Sequence, residues 1–152
     1  MATGSTATAG AQGAAAGAGK GIAANLDGAR RAIELFHAGR VELMRAMLAD
    51  DVVWRVPHVN PLAADIVGID AVLEFFRRVQ QETNGTFRAE VLDLAADERT
   101  VFCLMRVRAE RRGRTLDQQI VNVWRLRPGD GKVYERELFM EDQPASDDFW
   151  AY

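Results

Sequence analysis

From Phe87 to Asp142 the chain is a succession of long alternating or apolar runs, interrupted only by tight-turn residues. "TFRAEVLDLAADE" alternates from Phe87, and "RTVFCLMRVRAE" follows it. "RRGR" then reads as a hairpin tip, "TLDQQIVNVWRLR" as the returning strand, "PGDG" as a second turn and "KVYERELFMED" as the last strand. Short Gly-containing links between such runs leave consecutive strands side by side and antiparallel. A meander of four long strands is therefore the frame, and whatever precedes it must cover it.

The preceding residues are helical in period. "DGARRAIELFHA" (Asp27 to Ala38) spaces Ile33, Leu35 and Phe36 for one helix, with Asp27 as its N-cap and Gly39 as its stop. From Val41 a second short helix carries Leu43, Met44, Met47 and Leu48. "VVWRVP" reads as a strand over Val52 to Val56, followed by a loop. Gly68 and Asp70 then introduce a third amphipathic helix, Ile69 to about Glu82, through Val72, Leu73, Phe75, Phe76 and Val79, closed by Asn84-Gly85. Helices first and a meander after them predict an α+β fold, with the helices on one face of the sheet. The strands from Val101 and from Ile120 are apolar at nearly every position. Both of their faces should be covered, one by the helices and the other by a second copy of the chain.

Composition sets outer limits. Residues 1–25 are almost entirely Ala, Gly, Thr and Ser, with Lys20 as the only charge, and read as a disordered tail. Within it "GAAAGAGKG" fails as a phosphate loop, because Ala14 and Gly21 stand where a Gly and a Ser or Thr are required. Residues 26–152 make one domain. A net charge of -3 gives no electrostatic reason to propose nucleic acid as partner. Arg106, Arg108, Arg111, Arg112 and Arg114 cluster, but Glu110 and Asp117 interrupt them, so they read as a solvated hairpin end. Cys103 is alone inside an apolar run, which excludes an internal disulfide, suits a reducing, cytoplasmic setting and reads as a buried inert thiol. No run reaches the ~18 apolar residues that span a membrane, so no membrane partner is expected. The two histidines lie on different elements without a matching ligand set, so neither a metal nor any other cofactor is expected.

The element order, the phrase "NPLAADIVGIDAVLEFF" and the ending "VWRLRPGDGKVYERELFMEDQ…DDFW" together resemble the nuclear transport factor 2-like superfamily. Within it they are most similar to the SnoaL-like polyketide cyclase and ketosteroid isomerase-like branch. The resemblance spans about Asp27 to Tyr152. It implies a cone-shaped, curved antiparallel sheet with the N-terminal helices on its concave face, a cystatin-like α+β barrel. It also implies a deep apolar pocket and a homodimer through the outer sheet face. Members include isomerases, aldol-type cyclases, epoxide hydrolases and binding proteins, so the fold alone does not choose. The steroid isomerases hold an aspartate base just after the first strand, where this chain has Pro57-His58, and their helix-one tyrosine is missing here. The cyclases and epoxide hydrolases keep an acid near the end of the last long strand, a pattern that Asp142 fits.

Two catalytic candidates follow. Asp142 shares a strand face with Leu138 and Met140 by period two, and a carboxylate at an apolar mouth has its pKa raised toward an acid/base value. Its plain alternative is an N-cap of the following "QPASDDFW". His58, between two prolines, falls on the face of Trp54 and Val56 and would exchange a proton near neutral pH; the alternative is an ordinary loop histidine. His37, near a helix end, suits a dipole-complementing cation. Asn122 and Trp124 share a face of the third long strand, either pocket or dimer seam, and Asn122 needs a partner there. Trp54, Phe75, Asn122, Trp124 and Met140 are the expected substrate-binding set, with Phe139 as core and Phe149-Trp150 over the entrance or anchoring the C-terminus. The expected function is cofactor-independent cyclase- or isomerase-type acid/base chemistry, epoxide hydrolysis included, on a small, largely apolar polyketide- or terpenoid-like molecule. The alternatives are a non-catalytic ligand-binding or dimeric assembly module and, more weakly, a scaffold tethered by its tail.

Overall fold

The computed structural model of the protein describes residues 21–57 and 64–151. Helix α1 (Gly21–His37) leads into a short 3-10 helix (Val41–Met47), strand β1 (Leu48–Val56), strand β2 (Ala64–Val67) and helix α2 (Ile69–Glu82). The meander follows as β3 (Arg88–Ala96), β4 (Thr100–Arg111), β5 (Arg114–Leu126) and β6 (Val133–Met140), and helix α3 (Gln143–Trp150) closes the chain. All six strands form one sheet in the order β2-β1-β6-β5-β4-β3. This is the α+β architecture expected, a curved sheet with helices packed on it.

The meander, α2 and the two turns lie where the sequence puts them. At the β4–β5 tip Arg112 and Gly113 both have positive φ, 49° and 78°, the pair of left-handed residues that a tight two-residue hairpin demands. Four readings change. The sheet is not wholly antiparallel, because β1 pairs with β6 in parallel; the chain crosses over through α2 before building the meander, which brings β6 back alongside β1 in the same direction. β1 begins at Leu48, not Val52, and β2 occupies part of the stretch read as loop. The helix expected from Asp27 starts at Gly21, leaving Asp27 inside it. Ala23 and Ala24 favour helix, and Asn25 is buried with its amide donating to the Asp97 carbonyl at 3.0 Å, so the β3–β4 turn anchors this first stretch. Residues 21–25, read from sequence as the end of a tail over residues 1–25, belong to α1, and the tail expectation for residues 1–20 lies outside the described residues.

Register assigns the two faces. Val101, Cys103, Met105 and Val107 on β4 stand opposite Trp124, Asn122, Ile120 and Gln118 on β5. Ile120, Asn122 and Trp124 in turn face Met140, Leu138 and Arg136 on β6. This is the inner face, covered by α1 over β3 and β4 and by α2 over β1. The outer face is only half apolar, although the sequence reads these strands as apolar at nearly every position. Phe102, Leu104, Val121 and Phe139 lie toward one end, and Arg106, Arg108, Asp117 and Gln119 toward the other. Phe139, read from sequence as core, belongs to this outer face and is 57% exposed.

Candidate ligand cavity

Between the inner face and the helices lies a cavity of about 260 Å³. Its walls are apolar. Ala29, Ile33 and Phe36 come from α1, Phe75 and Phe76 from α2, and Met105, Ile120, Leu138 and Met140 from the meander. Edge-on aromatic contacts fix one side, with Phe76 packed against Trp54 (5.1 Å between centroids) and against Phe36 (5.8 Å). α3 closes part of the cavity with Ser146 and Trp150. α3 is itself held by Arg111, which donates to the carbonyls of Phe149 (3.1 Å) and Ala151 (2.8 Å) and to Glu82 (3.0 Å). Arg111 is therefore buried, unlike the solvated hairpin arginines it was grouped with.

Polar groups gather along one row of the sheet. Arg136 on β6 stands beside Trp54 on β1 and beside Trp124 on β5. Its guanidinium lies 4.8 Å from the Trp54 ring centroid. Nε donates to Asn122 Oδ1 at 2.6 Å and Nη1 to the Arg55 carbonyl at 3.0 Å. Burial pushes Arg136 down to about 9, yet at neutral pH the group is still a cation. The indole N–H groups of Trp54 and Trp124 and the hydroxyl of Ser146 are buried without a hydrogen-bond partner among the described residues. Gln118, which also lines the cavity, accepts from the Asp142 N–H through Oε1 at 3.0 Å. Among the described residues no Asp or Glu lines the cavity.

Trp54, Phe75, Asn122, Trp124 and Met140 all line this one cavity, which places Asn122 and Trp124 on the inner face and not on an outer seam. Asp142 does not line it. The strand alternation ends at Met140, and Asp142 turns outward, exposed, to cap α3, its Oδ1 accepting from the Ala145 N–H at 2.9 Å. Asp followed two residues later by Pro144 is an N-cap signature, and the capping geometry outweighs strand periodicity here. His58 lies outside the described residues. His37 is no dipole-complementing cation: Nε2 accepts from the Ala89 N–H at 2.9 Å, as only a neutral ring can. Burial, then the charge of Arg88, lowers its pKa. Cys103 is fully buried, burial pushing its thiol up to about 12, the inert state expected.

Arg136, Ser146, Gln118, Asn25 and Lys132 are polar cavity residues that sequence reasoning missed. A signal for Arg136 existed, since it stands two residues before Leu138 and four before Met140 and so shares their face. The habit that arginines are surface residues concealed it. Among the described residues no cluster of His, Cys, Asp and Glu could hold a metal ion, and no helix is long and apolar enough to cross a membrane.

The sequence profile of the SnoaL-like domain matches residues 29–136. No curated protein matches the chain. Among solved structures, Bal32a from a soil-derived mobile gene cassette is 28% identical, with a TM-score of 0.80 over 85% of this chain and 98% of that one. A protein of unknown function with a cystatin-like fold from Xanthomonas campestris is 26% identical (TM-score 0.77; 84% of this chain, 98% of that one). An NTF2-like protein of unknown function from Burkholderia pseudomallei K96243 shares the fold at 23% identity (TM-score 0.74; 84% and 98%).

Proposed function

Taking as premise that the chain belongs to the SnoaL-like domain family, we propose that it binds a small, largely apolar molecule in the cavity between its sheet and helices. The observation that carries this reading is the cavity itself, about 260 Å³, walled by apolar and aromatic side chains with a few polar groups set among them. Sites for small molecules have this make-up, a mostly apolar lining with a few placed polar groups. The volume falls just below the usual ligand-pocket range of roughly 300–1,000 Å³, which points to a ligand smaller than a drug-sized molecule.

All three tryptophans line the cavity, so ligand entry has an intrinsic fluorescence readout. Phenylalkanols of increasing chain length should give saturable changes in emission. Ala32→Phe, which puts a ring into the space beside α1, should weaken them about tenfold or more while leaving the circular dichroism unchanged. Wild-type emission that never saturates would refute the reading.

Turnover of the cyclase or isomerase type is the second form of this proposal. Asn122 would polarise a substrate oxygen, and His58, two residues beyond the end of β1 in sequence, would move the proton. The position of Asn122 inside the cavity favours it. The exposed, helix-capping position of Asp142 removes that residue from the scheme. The polyketide- or terpenoid-like substrate stays with this form. Unchanged turnover in both Asn122→Leu and His58→Ala would end it. We propose further that the apolar part of the outer sheet face pairs with a second copy of the chain.

A further inference from the structure

We propose that the ligand carries an anionic oxygen group, a carboxylate on an apolar body, and that Arg136 receives it. The inference rests on the reading of the cavity as a ligand site and adds the chemical class.

Arg136 is a buried cation without a counter-ion among the described residues. No carboxylate lies within ion-pair distance of it among the described residues, and residues 1–20 and 58–63 contain neither Asp nor Glu. Its sequence neighbours Glu135 and Glu137 are on the opposite face, paired with Arg55 and Arg125. Buried charges are ordinarily paired, because desolvating one alone is costly. The guanidinium has five N–H groups. Only one on Nε and one on Nη1 find partners in the described residues, and both acceptors are neutral.

The groups around it repeat the pattern. Asn122 gives its oxygen to Arg136, which leaves its NH2 as the free end of the amide. The flanking residues in the row, Trp54 and Trp124, each hold a buried indole N–H with no partner. The unpartnered buried polar atoms of this row, the two indole N–H groups, are donors, as are the remaining N–H groups of the guanidinium. A ligand that supplied only donors would leave them all unsatisfied, whereas a carboxylate supplies two acceptor oxygens and the missing charge. A planar fork of N–H groups suits that pair of oxygens better than a point charge would.

The test is a matched-pair titration of the full-length protein at pH 7, phenylalkanoates against phenylalkanols of equal chain length, read by tryptophan fluorescence and calorimetry. Wild-type protein should bind the acids about tenfold or more tighter than the alcohols, the range of a charge-assisted hydrogen bond. Arg136→Met should abolish that preference while keeping alcohol affinity within about threefold. Alcohols that bind as well as acids to the wild type would overturn the inference and leave the apolar cavity reading intact. Saturation by neither series would overturn both. The wild-type ratio decides alone if Arg136→Met does not fold.

Discussion

Arg136 and Asn122 form a pair whose members stabilise each other without either being favourable alone. The amide oxygen at 2.6 Å satisfies Nε, and the guanidinium in turn satisfies an amide buried among apolar neighbours. Asn122→Leu would leave the cation with one neutral partner fewer in a low-dielectric site, a loss of about 1–3 kcal/mol. Removing both polar groups removes the reason for the cost, as replacing buried charge by apolar groups of similar volume is often neutral or stabilising. Urea denaturation should therefore show Asn122→Leu destabilised and Asn122→Leu/Arg136→Met at or above wild-type stability. A double variant as unstable as the sum of its singles would show that the two act independently. The sequence made Asn122 visible as a polar break in an apolar strand. It could not show the partner, because Arg136 lies fourteen residues away and meets it only through β5–β6 register.

At the scale of elements, α1 forms one wall of the cavity, with Gly28, Ala29, Ala32, Ile33 and Phe36 lining it. Two side-chain clasps hold it to the sheet, Asn25 to the Asp97 carbonyl at one end and His37 from the Ala89 N–H at the other. The second clasp depends on pH. Because the folded-state pKa of His37 lies below 6.5, the unfolded chain takes up the proton first as pH falls. Stability is then lost as pH falls below about 6.5, and the contribution is complete above it. Urea midpoints measured between about pH 7.5 and 5 should fall in the wild type. They should be flatter in His37→Gln, whose carbonyl oxygen still accepts the amide without titrating. The carboxylates whose pKa values are lowered, Asp51, Glu82 and Asp117, titrate below this window and do not confuse it. An unchanged slope in His37→Gln would assign the acid sensitivity elsewhere.

At the scale of the whole molecule the outer sheet face divides by chemistry. Register sets Leu104, Val121 and Phe139 in one row, with Phe102 opposite Val123 beside it. The other end is closed by a bidentate ion pair, Arg106 to Asp117 at 2.7 and 2.9 Å, with Arg108 adjoining. Phe102 at 47% and Phe139 at 57% exposure are too apolar to be indifferent to water, and a second copy would bury both. Sedimentation should find a homodimer at micromolar concentration, and Phe139→Glu should shift it to monomer with its circular dichroism intact. A wild-type monomer would refute the pairing.

What the sequence determined by itself was everything carried by local period and turn chemistry. The meander, α2, the Arg112-Gly113 hairpin and the inert Cys103 belong to this class, because each depends on residues within one element and the water or core beside it. The cavity set Trp54, Phe75, Asn122, Trp124 and Met140 was legible for the same reason, each sharing a face by spacing of two or near four, although the choice between pocket and outer seam for Asn122 and Trp124 was not. The tertiary structure alone decided which faces meet. Asp142 obeyed strand periodicity on paper, but Pro144 and the start of α3 turned it into a helix cap at the surface. Arg136 looked like one surface arginine among many. It became a buried cation only when β6 returned parallel to β1, with Trp54 on one side of it and Trp124 of β5 on the other. Charge burial is a property of neighbours brought together by the fold, and no single stretch of sequence contains all of them.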